Sequence, residues 1–119
     1  MTKIAIIDMG TNTFHLLVAE VVGRGFRVLD RNHEPVKIGK GGINEGFISE
    51  SGCTRALQAM CRFRETIDEL GVAEVHAFAT SARFYPHLLK VFRGVLPLVR
   101  FLTAPLRAQS PWKLVDRPY

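Results

Sequence analysis

The chain has 119 residues, 47% of them hydrophobic and 23% charged, with a formal net charge of +5 at pH 7. That suffices for one domain with its own core, and it excludes the disordered, fibrous and disulfide-framework classes. The excess charge is confined to residues 84–119, where six Lys/Arg face the single acid Asp116, while residues 1–83 hold ten Lys/Arg and ten Asp/Glu. Five of the six prolines (Pro86, Pro97, Pro105, Pro111 and Pro118) lie in the same stretch, so the composition breaks near 83/84. Cys53 and Cys61 fall eight apart in one expected helix, roughly 12 Å at 1.5 Å per residue and too far to bridge. Reduced cysteines suit a cytoplasmic location, and the four apolar residues after Met1-Thr2-Lys3 do not read as a signal peptide.

In chain order, residues 3–9 are a short apolar run closed by Gly10, which suits a strand covered on both faces. Residues 13–22 are rich in branched and aromatic types and read as a second strand. Gly23-Arg24-Gly25 is a turn signal, and residues 26–34 read as a third strand with a partly wet face. Sequential strands with short connections favour an antiparallel meander. Pro35 breaks the run, and residues 38–46 are expected to be loop. A helix is predicted from about Ser51 to Leu70, with Leu57, Met60, Ile67 and Leu70 near one stripe and Ala56 and Phe63 beside it. Arg64 and Asp68 are placed for an i,i+4 pair, and Gly71 is a C-terminal stop. Residues 73–80 read as a fourth strand, parallel to the first after the helical crossover. The expected fold class is therefore α/β, a three-strand meander followed by a helix and a parallel strand.

The pattern of residues 84–119 assigns no definite element. Leu88 to Leu106 is apolar, but Lys90, Arg93, Pro97 and Arg100 interrupt it, so a membrane span is not expected. A basic helix on a membrane surface stands as one alternative; a segment not shaped to complete this domain stands as the other.

The chemistry points to Asp8-Met9-Gly10-Thr11-Asn12-Thr13, directly after the first strand. Gly10 allows a sharp turn and a close ligand approach. Thr11, Asn12 and Thr13 bring short side-chain donors and backbone N–H groups that can face phosphate oxygens. Asp8 is placed to hold Mg²⁺, which prefers hard oxygen ligands. On local chemistry alone, an Asx-type turn with a satisfied aspartate fits these residues equally well.

The longer run Ala5-Ile-Ile-Asp-Met-Gly-Thr-Asn-Thr-Phe-His-Leu-Leu-Val-Ala-Glu20 closely resembles the opening of the exopolyphosphatase / guanosine pentaphosphate phosphohydrolase (Ppx/GppA) family, whose first phosphate loop reads Asp-x-Gly-x-Asn-(Ser/Thr). Lys37-Ile-Gly-Lys-Gly-Gly looks like the family's Leu-Gly-x-Gly loop. Gly46-Phe-Ile-Ser and the helix with Arg55, Ala56, Leu57 and Phe63 are similar to its first helix, and Ala77-Phe-Ala-Thr-Ser-Ala82 to its Ala-Thr-(Ser/Ala)-Ala strand end. The resemblance spans about residues 1–83. It implies the actin-like, ribonuclease H-like ATPase fold, Mg²⁺ as cofactor, and hydrolysis of terminal phosphate from polyphosphate or guanosine pentaphosphate. It also implies a phosphate loop of Gly10, Thr11, Asn12 and Thr13 with Asp8 at the metal. Thr80 and Ser81, ending a parallel strand, are candidates to line the phosphate channel, and Arg83 to clamp a phosphate, though it stands one place early for the family pattern.

After Ala82 the resemblance stops. The family's Ser-Gly-x-Glu-Glu-Ala segment with its catalytic glutamate and its second loop, Asp-x-Gly-Gly-Gly-Ser, have no counterpart, since no glutamate follows Glu74. Residues 84–119 are expected to be a basic, Pro-rich tail, consistent with translation out of frame. This polypeptide alone is then expected to be a feeble phosphatase at best. The alternatives are a non-catalytic phosphate-binding or interaction fragment and an actin-like-fold ATPase or kinase fragment. His15 reads as an inward-packed residue or a ligand contact, and His33 and His76 as surface or core residues. Lys37 and Lys40 face either a polyanion or solvent. No specific nucleic-acid partner is expected, and an incompletely covered sheet is expected to promote self-association.

Overall fold

The computed structural model describes residues 2–38, 49–79, 94–95, 99–103 and 113–115. The strands are β1 (Lys3–Met9), β2 (Thr13–Val22), β3 (Gly25–Pro35), β4 (Glu74–Ala79), β5 (Val99–Thr103) and β6 (Lys113–Val115), and the helix α1 is Glu50–Glu69. They form one mixed sheet in the order β3-β2-β1-β4-β5-β6. β1, β2 and β3 make the antiparallel meander; β4 runs parallel to β1, β5 parallel to β4, and β6 antiparallel to β5.

The alternation of side chains along each strand sorts the sheet into two faces. On β1, Ala5, Ile7 and Met9 are buried; on β2, Phe14, Leu16 and Val18; on β4, Val75 and Ala77. These residues meet Ala56, Ala59, Met60, Phe63 and Ile67 of α1 in one core cluster. The helix thus buries the face that the 3.6-residue period of its apolar positions requires. Leu57 and Leu70, expected in the stripe, lie at its margin and are partly buried.

Both helix ends are closed by named atoms. Ser49 is the N-cap, its Oγ accepting from the Gly52 N–H at 3.1 Å. At the C-terminus the Gly71 N–H donates to the Asp68 carbonyl at 3.2 Å and the Val72 N–H to the Ile67 carbonyl at 3.0 Å. This is the paired bonding that a left-handed C′ residue creates, and Gly71 has φ of 68°. Lys3 Nζ donates to the Leu70 carbonyl at 2.8 Å, a cation on the negative end of the helix dipole. Arg64 Nε and Asp68 Oδ2 stand 3.5 Å apart on exposed helix surface, a pair worth about 0.3 kcal/mol. Cys53 and Cys61 are both free.

The sequence reading places β1 and β2 at their observed bounds and β3, α1 and β4 within a residue of theirs. It stops at β4, whereas β5 and β6 continue the sheet. Val99-Arg-Phe-Leu-Thr has the branched and aromatic content of a strand, but the flanking prolines and cations broke the pattern into pieces too short to read. The expected loop at 38–46 lies outside the described residues except for Ile38. Among the described residues no helix is long and apolar enough to cross a membrane.

Candidate functional site

β1 has an antiparallel neighbour on one side and a parallel one on the other, so its C-terminal end meets the start of β2 and the end of β4 at one edge of the sheet. Asp8 sits at that edge between the buried Ile7 and Met9, and alternation turns it to the face opposite α1, where it is exposed. Its register partners are Phe78 on β4 and His15 on β2. His15 in turn pairs with His33 on β3, their ring centroids 6.2 Å apart. The Asp8 carboxylate makes no hydrogen bond or ion pair with any described residue. Beside it, an open depression of about 460 Å³ crosses β2 and β3, lined by Ile6, Asp8, His15, Arg31 and His33 among others.

Among the described residues, the segment after β3 holds the Thr11 and Asn12 side of the β1–β2 turn. The Gly10 N–H donates to the Thr13 carbonyl at 3.2 Å and closes the turn. The next two carbonyls point to the segment after β3: the Val36 and Lys37 N–H groups donate to the Asn12 carbonyl at 2.9 and 3.0 Å, and the Ile38 N–H to the Thr11 carbonyl at 2.9 Å. The Thr11 and Asn12 N–H groups have no partner among the described residues. With their carbonyls engaged, these two amides remain available to an acceptor on the exposed side, and successive N–H groups of this kind make an anion-binding concavity. Asn12 is exposed and Thr11 half-buried.

Gly10 serves the turn by close approach and not by a left-handed backbone. A Cβ on it would stand 3.0 Å from the Thr13 carbonyl oxygen, the atom that accepts its own N–H. Gly10→Ala is therefore expected to spread the turn and cost about 1–2 kcal/mol, read as a lower melting temperature.

The segment 36–38 was not singled out by the sequence reading as a support of the turn. Val36 and Ile38 are buried at 0% and 1% exposure and belong to the core cluster, which anchors this strap beneath the turn. Lys37, between them, has φ of 46°, a left-handed conformation uncommon for a residue with a Cβ. From α1, Arg55 Nε donates to the Val36 carbonyl at 2.7 Å and Nη2 to the Lys37 carbonyl at 3.0 Å.

Of the predicted site residues, the structure brings Asp8, Gly10, Thr11, Asn12 and Thr13 together at one sheet edge. Thr80, Ser81, Arg83 and Lys40 lie outside the described residues, although β4 ends at Ala79 in register with Met9. His76 bonds to Glu74, Nε2 to Oε1 at 2.9 Å, away from the turn. Among the described residues no group of three or more His, Cys, Asp or Glu could hold a metal by itself. An exposed carboxylate with no partner among the described residues fits a hard cation that takes its remaining ligands from water and phosphate, as Mg²⁺ does.

A sequence model of the Ppx/GppA phosphatase family matches residues 17–83, more than half of the chain. The chain belongs to the Ppx/GppA phosphatase family. A Haemophilus influenzae protein provisionally named an exopolyphosphatase is 30% identical over 107 residues, covering 77% of this chain and 33% of that protein. The crystal structure of an exopolyphosphatase from Cytophaga hutchinsonii superimposes with a TM-score of 0.77 at 35% identity, over 87% of this chain and 35% of that one. The type II variant of the Aquifex aeolicus Ppx/GppA phosphatase gives a TM-score of 0.76 at 20% identity, over 87% and 36%. This Ppx/GppA chain thus spans about a third of the length of the relatives it matches. Its sheet and helix are the N-terminal part of the actin-like, ribonuclease H-like ATPase fold expected from the sequence.

Proposed function

We propose that the turn from Gly10 to Thr13, with Asp8, is the first phosphate-binding loop of an exopolyphosphatase-type hydrolase acting on the terminal phosphate of inorganic polyphosphate or guanosine pentaphosphate. The observation that carries this reading is the one-sided hydrogen bonding of the turn. The Thr11 and Asn12 carbonyls are tied back, while among the described residues their N–H groups and the neighbouring Asp8 carboxylate have no partner.

In this reading the two amides and the Thr11 and Thr13 hydroxyls donate to phosphate oxygens, and Asp8 holds Mg²⁺. The cation would neutralise charge on those oxygens, the main requirement of phosphoanhydride cleavage. The strap fixes the donors before substrate arrives, so little ordering accompanies binding. A water-activating carboxylate is a separate requirement. Asp116 is the only acid after Glu74, and its Leu-Val-Asp-Arg-Pro surroundings do not match the family's glutamate segment. Loss of a general base costs about 10²–10⁴ in rate. These 119 residues alone are therefore expected to bind the anion far better than they hydrolyse it.

Addition of tripolyphosphate with Mg²⁺ is expected to move the amide resonances of Gly10, Thr11, Asn12 and Thr13 and to leave those of β3 near Gly25 in place. Unmoved loop amides would refute the reading. A stronger response to ATP than to tripolyphosphate or guanosine pentaphosphate would favour the kinase or ATPase alternative of the same fold.

A further inference from the structure

We infer that Arg55 is a positioning residue for the phosphate-binding loop, acting through the strap of residues 36–38. The inference rests on the loop's assignment in the preceding subsection and adds the device that holds it.

Along an extended strand successive N–H groups point to opposite sides. Here the consecutive N–H groups of Val36 and Lys37 converge on one acceptor, the Asn12 carbonyl, at 2.9 and 3.0 Å. That convergence is made at Val36, which stands between the two groups; the left-handed break at Lys37 then aims the next N–H, of Ile38, at the Thr11 carbonyl at 2.9 Å. The same break sits on a lysine, where it carries a conformational cost that glycine would escape. Something must hold it. The buried side chains of Val36 and Ile38 fix the two flanks. The Val36 and Lys37 carbonyls, on either side of the break, both accept from the single guanidinium of Arg55, at 2.7 and 3.0 Å. Arg55 thus grips the strap at the two peptide units that form the left-handed turn, and the strap grips Asn12 and Thr11.

The guanidinium is suited to this place by its rigid fork of donors, which meets two carbonyls at once; an ammonium is a single point. Each hydrogen bond from a charged donor to a carbonyl is also stronger than a neutral one. Arg55 itself lies on α1, one turn after Gly52 and next to the fully buried Ala56. The packing of the helix on the sheet therefore sets where the guanidinium stands, and the loop takes its position from the helix through the strap.

The test uses the 119-residue chain and its variants Arg55→Ala, Arg55→Lys, Lys37→Gly and the double variant Arg55→Ala/Lys37→Gly. Two quantities are read: affinity for tripolyphosphate in Mg²⁺, and hydrogen exchange at Val36, Lys37 and Ile38 compared with the β1–β4 ladder. Removing a partner that orients a ligand-binding group typically costs 10–100-fold. Arg55→Ala is expected to weaken tripolyphosphate about tenfold or more and to speed exchange at the three strap amides, while the ladder keeps its protection. Arg55→Lys is expected to fall between it and the parent. Lys37→Gly in the Arg55→Ala background is expected to recover most of the affinity, because glycine adopts the left-handed turn unaided. Rescue of this kind would not follow if Arg55 merely held the helix in place. Unchanged affinity in Arg55→Ala overturns the inference, as does a loss accompanied by weaker ladder protection and no rescue. If the parent chain fails to bind tripolyphosphate, the functional reading falls by itself. Exchange at Val36, Lys37 and Ile38 then decides about Arg55: acceleration upholds its hold on the loop, and parental rates refute it.

Discussion

Truncation of Phe63 to alanine is expected to remove about 3–5 kcal/mol of stability. Phe63 is at 0% exposure on the face of α1 turned to the sheet, in the cluster that includes Met9, Phe14, Leu16 and Met60. Its removal deletes the transfer energy of a phenyl ring and leaves a void that residues of three strands can only partly close. A domain of ordinary stability has a total margin of about 5–15 kcal/mol, so this one change takes a large share of it. Chemical denaturation should show the midpoint falling steeply with an unchanged slope. Glu65→Ala, on the exposed side of the same helix, is expected to stay within about 0.5 kcal/mol of the parent. A Phe63→Ala chain with the parental midpoint would refute the helix-on-sheet core. The site should feel this change as well, because α1 carries Arg55, and a helix loosened from the sheet loosens the strap beneath the loop.

The effect of Asp8→Asn on anion binding is expected to change sign with Mg²⁺. The substitution keeps the shape of the side chain and removes its charge. Asp8 is exposed and has no partner among the described residues, so stability should move by less than about 0.5 kcal/mol. In the presence of Mg²⁺ the variant lacks the carboxylate proposed to hold the cation, and tripolyphosphate affinity is expected to fall about 10–100-fold, equivalent to about 1.4–2.8 kcal/mol. Without Mg²⁺ the sign changes. A carboxylate close to the phosphate repels it, so its neutral replacement should bind the bare anion slightly better than the parent does. Calorimetric titrations with and without the metal measure both arms. Equal weakening in both conditions would mean that Asp8 shapes the loop and does not hold a cation.

The first four strands and the helix could be read from residues because each announces itself locally. Residues 3–9 form one apolar run, Leu57 to Ile67 keeps a helical stripe, and Gly71 stands where a left-handed terminator is needed. The turn was legible for the same reason, as an acid, a glycine and three short polar residues in sequence. What holds the turn was not. Its supports are backbone amides of Val36, Lys37 and Ile38, and main-chain bonds leave no signature in side-chain type. The left-handed position would have been visible had it been a glycine, but it is Lys37. Arg55 could be noted only as one polar position on a helix, since its value lies in the two carbonyls it reaches across the fold. Gly10 was read as allowing a sharp turn and a close ligand approach; the close approach that the structure shows is to the Thr13 carbonyl. β5 escaped notice because its partner β4 is distant in sequence and its neighbours Pro97 and Pro105 resemble chain breaks.

The mixed pairing of β1 also implies an order of assembly. Its antiparallel edge joins Met9 to Phe14 across a tight turn, while its parallel edge joins Ile4 to Glu74 only after the whole helical crossover has been made. Loop-closure entropy weighs lightly on the first contact and heavily on the second. As the polypeptide leaves the ribosome, the hairpins can zip up early, and the β1–β2 loop takes shape in outline while the other flank of β1 is still bare. The amides of Thr11 and Asn12 are formed cheaply, and their final aim waits for α1 to dock.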